Sequence, residues 1–93
     1  MPKKKELIQT FIIPKAPLKP GTYGYDIYKM QYCLDHILKY RGKHSLHQAE
    51  PAHYGPKTVK AVRDFQAQYG LFINGVYTPL TRLRIKEVLK DAD

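Results

Sequence analysis

Apolar positions recur along the chain in three helical periods separated by turn residues. Ile27, Met30, Leu34, Ile37 and Leu38 fall on one stripe, which predicts a first helix over residues 26–40 with Asp26 as N-cap and Gly42 as its stop. At about 100° per residue, Tyr28, Tyr32, Asp35 and Lys39 face away from that stripe. Two tyrosines on that face are placed either to stack on a ligand or to pack beneath the N-terminal segment. A second helix buries Val59, Val62, Phe65 and Tyr69 and ends at Gly70, and a third buries Ile85, Val88 and Leu89. Between the first two, "RGKHSLHQAEPAH" has no period. It reads as a loop, long for so small a domain, and loops of that length are usually functional or mobile.

The second and third helices begin with one signal written twice. Tyr54 and Tyr77 each open Tyr-x-Pro-x-Thr, 23 residues apart. Gly55 and Thr78 are the expected N-caps, with Pro56 and Pro79 at the first helical position, where a missing N–H is no loss. Thr58 and Thr81 fall at the third position, where a hydroxyl reaches back to an orphan N–H. In "LFINGVY", Asn74 and Gly75 sit between two β-prone trios, the signal of a tight hairpin. Upstream, Pro2, Pro14, Pro17 and Pro20 surround a short β-prone run, Phe11-Ile12-Ile13. Residues 1–20 therefore read as an extended basic segment, a linker or a strand across the domain surface, with the domain proper over residues 21–93. The expected fold is all-α: a small three-helix bundle with an internal helix-turn repeat and a short β-hairpin between helices 2 and 3.

Composition narrows the function class. A chain of 93 residues, 43% hydrophobic and 26% charged, is globular and closes one modest core. A deep, water-excluding active site is hard to build at that size, which favours a binding module. Sixteen Lys and Arg against 8 Asp and Glu leave a net charge of +8, which suits an acidic partner: nucleic acid, an anionic wall polymer or a membrane surface. The other reading of that charge is solubility plus a basic tail, and Lys3, Lys4 and Lys5 do stand together at the N-terminus. No apolar stretch approaches the roughly 18 residues that span a bilayer. "LIQTFIIP" is short and no small-residue cleavage site follows it, so no signal peptide is expected. The chain is then either used inside the cell or part of a larger exported or phage-encoded protein.

Little in the sequence suggests catalysis. Cys33 is the single cysteine and lies on the flank of the first helix, where a buried, inert thiol is expected. His44, His47, Glu50 and His53 form a loose group whose spacing matches no metal site, so polar loop residues and no metal or cofactor are expected. No Ser/His/Asp or paired-carboxylate arrangement is recognisable.

Three stretches together carry a resemblance: "GYDIYKMQYCL", "YGPKTVKAVRDFQAQYGLFINGVY" and the final Pro-x-Thr helix. They are similar to the peptidoglycan-binding-domain family of the three-helix, internally duplicated kind. Gly24, Asp26, Ile27, Met30 and Gln31 match its first helix. Tyr54, Gly55, Thr58, Ala61, Val62, Phe65 and Gln66 match its middle, and Gly70, Leu71, Asn74, Gly75 and Thr81 its end. Three departures stand out. Pro51-Ala52 replaces the family's Asp-Gly, the preceding loop is longer, and Thr78 stands where the family has Gly.

The resemblance implies non-catalytic binding of cell-wall peptidoglycan, as the targeting module of a cell-wall hydrolase or phage lysin. The expected partner is peptidoglycan or an associated anionic wall polymer, with a catalytic domain in the parent protein. It implies a monomer working at the cell wall, without a membrane partner. Lys57, Asn74 and Arg82, at turns beside helix N-termini, are the expected exposed donors to carboxylates or amides of a stem peptide. Tyr54 and Tyr77 occupy positions the family fills with apolar residues, so they are core or, in the alternative, ligand contacts. The competing class is a basic three-helix nucleic-acid-binding domain, with Arg82, Arg84 and Lys86 on the third helix. Against it stands the hairpin expected where a helix-turn-helix reader has a short bend. The related prodomain of metalloproteases needs a cysteine in Pro-Arg-Cys-Gly, and Cys33 stands in "YCLDH" instead.

Overall fold

The computed structural model describes residues 13–91, and within them the chain forms α1 (Tyr25–Leu38), α2 (Leu46–Ala49), α3 (Pro56–Gln68) and α4 (Pro79–Asp91), with a 3-10 turn at Gly42–His44. The three long helices are the three apolar periods. Ile27, Met30 and Leu34 of α1, Val62 and Phe65 of α3, and Ile85 and Leu89 of α4 are buried in one cluster, and α1 packs against the other three helices. Lys3 to Lys5 and most of the Phe11-Ile12-Ile13 run lie outside the described residues.

Helix boundaries differ from the sequence reading, for local reasons. α1 starts at Tyr25 because Gly24, with φ at +144°, takes the N-cap position, and Asp26 falls in the first turn instead, where its charge suits the helix dipole. The helix stops at Leu38, well before Gly42, because Lys39 turns left-handed at φ 61° and Tyr40 N–H donates back to the Asp35 carbonyl. Residues 41–53 are not an open loop. The 3-10 turn and α2 fold them onto α1, and Leu46 is buried. A single helical turn is too short to establish a period, which is why the sequence does not announce it.

The hairpin expected at Asn74-Gly75 is not formed as strand pairing within residues 71–77. The turn exists, with Gly75 at φ +73°, but a side chain organises it: Gln66 Oε1 accepts from Asn74 N–H (3.0 Å) and Gly75 N–H (2.9 Å). Tyr77 pairs instead with Leu18, whose N–H donates to the Tyr77 carbonyl (3.0 Å). Packing is continuous across residue 20. Pro14 is buried and its carbonyl accepts from Tyr77 Oη (2.8 Å) and Arg82 Nε (3.0 Å), while Gly21 N–H donates to the Tyr54 carbonyl (2.8 Å). The segment from residue 13 to residue 24 thus joins both copies of the repeat.

Each copy is built around a buried glutamine. Gln31 Nε2 donates to the carbonyls of Glu50 and His53 and to Thr58 Oγ1, while its Oε1 accepts from Ala52 N–H. Gln66 repeats the arrangement 35 residues on, with Nε2 donating to Val76 O, Thr81 Oγ1 and Asn74 Oδ1. The third-position threonines therefore serve the glutamines, which corrects their expected role as caps. At α4 the cap is Thr78, whose Oγ1 accepts from Thr81 N–H at 3.1 Å. At α3, Gly55 holds the N-cap position without a side chain, and Glu50 supplies the acceptor, taking Lys57 N–H (3.0 Å) and Thr58 N–H (2.8 Å).

Candidate functional site

Tyr25, Tyr28 and Tyr32 stand at i, i+3 and i+7 on α1, on the face turned from the Ile27–Met30–Leu34 stripe. Their rings form a row, with centroids 6.3 Å apart from Tyr25 to Tyr28 and 6.0 Å from Tyr28 to Tyr32. His47 of α2 extends the row, 5.0 Å from Tyr32. Tyr25 is 71% exposed and Tyr32 45%, so a ligand reaches the ring surfaces from solvent. Runs of exposed aromatic surface are uncommon on monomeric domains and often mark binding sites.

Asp35 holds the row's far end in place, and here the expectation of a solvent-facing Asp35 is wrong. It is 5% exposed, and its carboxylate accepts from Leu46 N–H (2.6 Å) and His47 N–H (3.2 Å) and pairs with His47 Nδ1. The acid stands at the N-terminus of α2, where a carboxylate satisfies otherwise orphaned N–H groups. It fixes α2 against α1 and turns the His47 ring toward Tyr32.

Beyond Tyr32 the row opens into a groove of about 700 Å³, walled by Tyr32, Tyr40, His47 and Tyr69 and carrying Lys39 and Arg41. Asp35 is the one acid in its lining, and its oxygens are already engaged. Burial, and then the nearby Asp64 carboxylate, push the Tyr40 phenol above its ordinary value, so it stays a neutral donor. At the other end, Tyr25 borders a hollow of about 490 Å³ shared with Tyr23, whose ring stacks on His53 at 4.4 Å. The whole surface offers ring faces, hydroxyls and the cations Lys39, Arg41 and Lys19, and pairs no nucleophile with a base. It is suited to holding a ligand with flat apolar faces and polar edges.

The five residues expected from sequence to meet a ligand are not gathered in this groove. Lys57 is exposed and lines a smaller hollow of about 210 Å³ with Lys43, His44 and Lys60. Asn74 borders a different, apolar hollow beside Phe72 and Leu80, and its Oδ1 accepts from Gln66 Nε2 and Val76 N–H. Arg82 is half-buried and donates to Pro14 O. Tyr54 and Tyr77, 1% and 0% exposed, stand in the core with their hydroxyls donating to Gly75 O and Pro14 O. Burial pushes both phenols far up, so they are permanent donors. Tyr28 and Tyr32 were legible as solvent-side aromatics. Tyr25, Tyr40 and the Asp35–His47 pair were not, because finding them requires the true start of α1 and the docking of α2.

The other candidate chemistries are distributed elsewhere. Glu50 caps α3, His47 pairs with Asp35 and His53 stacks on Tyr23, and among the described residues no three His, Cys, Asp or Glu side chains are grouped to hold a metal ion. Cys33 is buried, and burial pushes its thiol up to about 12. No helix among the described residues is long and apolar enough to cross a membrane. On α4, Arg82 is engaged with Pro14 O, while Arg84 binds Tyr69 O (2.6 Å) and Glu87 (3.0 Å). Two of the three cations that a nucleic-acid reader would present are thus bonded within the domain.

Comparison with known proteins bears on the same frame. The family model described as "Putative peptidoglycan binding domain" matches residues 23–85. The N-acetylmuramoyl-L-alanine amidase CwlL of Bacillus licheniformis is 34% identical over 76 residues, which is 82% of this chain and 20% of that protein. A probable N-acetylmuramoyl-L-alanine amidase of the same organism is also 34% identical over 76 residues, 82% of this chain and 21% of its own length. The chain therefore spans about a fifth of the length of these curated relatives. Among solved structures, the N-terminal domain of SleB superposes with a TM-score of 0.65 at 24% identity, covering 80% of this chain and 93% of that one. That likeness shows the fold.

Proposed function

This chain belongs to the peptidoglycan-binding domain family, and from that premise we propose that it is the non-catalytic wall-targeting module of a cell-wall hydrolase. The observation that carries the reading is the family match over residues 23–85, which takes in both halves of the glutamine-centred repeat and the tyrosine row. The relatives it matches are amidases by name and several times its length, so the proposed parent carries its catalytic domain outside these 93 residues and works at the bacterial cell wall. Within the domain, the aromatic row and its groove are the proposed contact surface. Lys57, exposed beside Lys43 and Lys60, is the proposed contact to anionic groups of the wall, since a ligand reaches it without breaking an internal bond. Asn74 and Arg82 already bond within the domain, so their proposed part is to hold the turns that frame it.

Co-sedimentation with purified peptidoglycan sacculi, run beside DNA-cellulose, tests this. The domain should be retained on sacculi and should release no soluble wall fragments. Retention on DNA-cellulose alone would overturn the reading.

A further inference from the structure

We propose, resting on the peptidoglycan-binding reading, that Tyr25, Tyr28 and Tyr32 form a track for the glycan strand, and that Lys39 and Arg41 take the acidic groups the strand carries. The first ground is shape and repeat. A pyranose ring has a flat face of C–H bonds and a rim of hydroxyls, and aromatic faces with polar tips complement both. Tyr25 to Tyr32 covers seven residues of helix, about 10 Å along the axis, a length on the order of a disaccharide. Ring centroids 6.3, 6.0 and 5.0 Å apart place successive rings under successive sugars.

The second ground is charge. The chain is +8, yet the charges along this strip are answered locally. Lys29 lies over the Tyr25 ring at 4.8 Å and pairs with Asp26 at 3.5 Å, and the Asp35 carboxylate is taken by α2. What faces solvent is close to neutral. A phosphate-rich polymer finds better electrostatic partners at Lys43 and Lys57, whereas a neutral polymer of N-acetylated sugars gives up nothing by lying on the tyrosines. Positive charge stands beyond both ends of the row, at Lys39 and Arg41 in the groove past Tyr32 and at Lys19 in the hollow past Tyr25. A neutral track with cations beyond its ends fits a neutral backbone whose acidic branches reach past the tyrosines.

The probe is chitohexaose, a neutral polymer of N-acetylglucosamine, titrated calorimetrically against the full chain. The chain has no tryptophan and 8 tyrosines, so tyrosine emission gives an independent reading of contact with the unaltered protein. The chain should bind, and the double substitution Tyr25→Leu with Tyr32→Leu should weaken binding about tenfold or more, through loss of ring stacking at similar apolar area. The matching Tyr25→Phe with Tyr32→Phe pair, which keeps the rings, should stay within about threefold. Both positions are exposed, and thermal melts verify the fold. Tyr25→Leu alone serves if the double variant does not fold. Lys39→Ala with Arg41→Ala should weaken capture by sacculi, and unchanged capture would remove the two cations from the contact surface. If sacculi retain the wild-type chain but chitohexaose fails to bind, or binds the Leu pair equally well, the track is wrong and the wall-binding reading survives. If sacculi fail to retain the wild-type chain, both fall.

Discussion

Gln31 and Gln66 are neutral, buried side chains that bond several backbone groups of the turns around them, and single residues of this kind decide whether the repeat closes. A buried amide left unpaired costs about 1–3 kcal/mol, and Gln66 serves five groups. Gln66→Ala should lower stability by at least about 3 kcal/mol in urea denaturation. A loss below about 1 kcal/mol would show that water replaces the carboxamide. Glu50 adds a pH dependence. Burial works against its charged form, but the hydrogen bonds from Lys57 N–H, Thr58 N–H and the Thr58 hydroxyl outweigh it and hold the carboxyl below its ordinary 4.5. A lowered folded value means that the contribution is fully present above 4.5 and disappears as pH falls through the folded value. Melting temperature should fall along an acid limb, and Glu50→Gln should flatten that limb; an unchanged limb would assign acid sensitivity to another carboxyl.

At the scale of elements, the duplicated helix starts solve one problem in two ways. α4 caps itself, so Thr78→Ala should cost about 1 kcal/mol. α3 borrows Glu50, and that is why a glycine precedes it: a Cβ on Gly55 would stand 2.5 Å from Glu50 Oε2. Gly55→Ser, which improves the local cap signal, should therefore destabilise the domain, and a more stable Gly55→Ser variant in thermal melts would contradict the borrowed cap. Phe65 is 0% exposed with Tyr69 at 4.8 Å, so Phe65→Ala should cost roughly 3–5 kcal/mol by chemical denaturation. The helix phases were legible because apolar side chains repeat over three or more turns. α2 was not, and the Asn74-Gly75 signal misled, because a buried glutamine and the N-terminal segment outcompete local strand pairing for the same backbone groups.

For the whole molecule, charge belongs to the folded domain more than to the tail. Residues 1–12 and 92–93 contribute Lys3, Lys4, Lys5, Glu6 and Asp93, a net +1, which leaves +7 of the +8 on residues 13–91. Surface attraction is screened over roughly 8 Å at physiological ionic strength, whereas stacking and directed hydrogen bonds are not. Sacculus binding should therefore weaken as salt rises and level off above zero. Removing residues 1–12 should lower only the salt-sensitive part, and slightly. Truncation has to stop there, because Pro14 O receives both Tyr77 and Arg82. Complete loss of binding at low salt on that truncation would make the tail the binder.

Sequence alone determined the three long helices, their buried faces and the doubled Tyr-x-Pro-x-Thr starts, since each rests on periodicity or on contacts within a few residues. It also brought Gln31 and Gln66 into view as matched positions without disclosing their work. Their partners lie 8 to 27 residues away, and no local rule brings such groups together. The tertiary structure alone decided that Asp35 turns inward to seat α2, that His47 joins the tyrosines of α1, and that Lys57, Asn74 and Arg82 stand apart. A surface of this kind is made by the meeting of separate elements, and that meeting is set by which buried polar groups find partners.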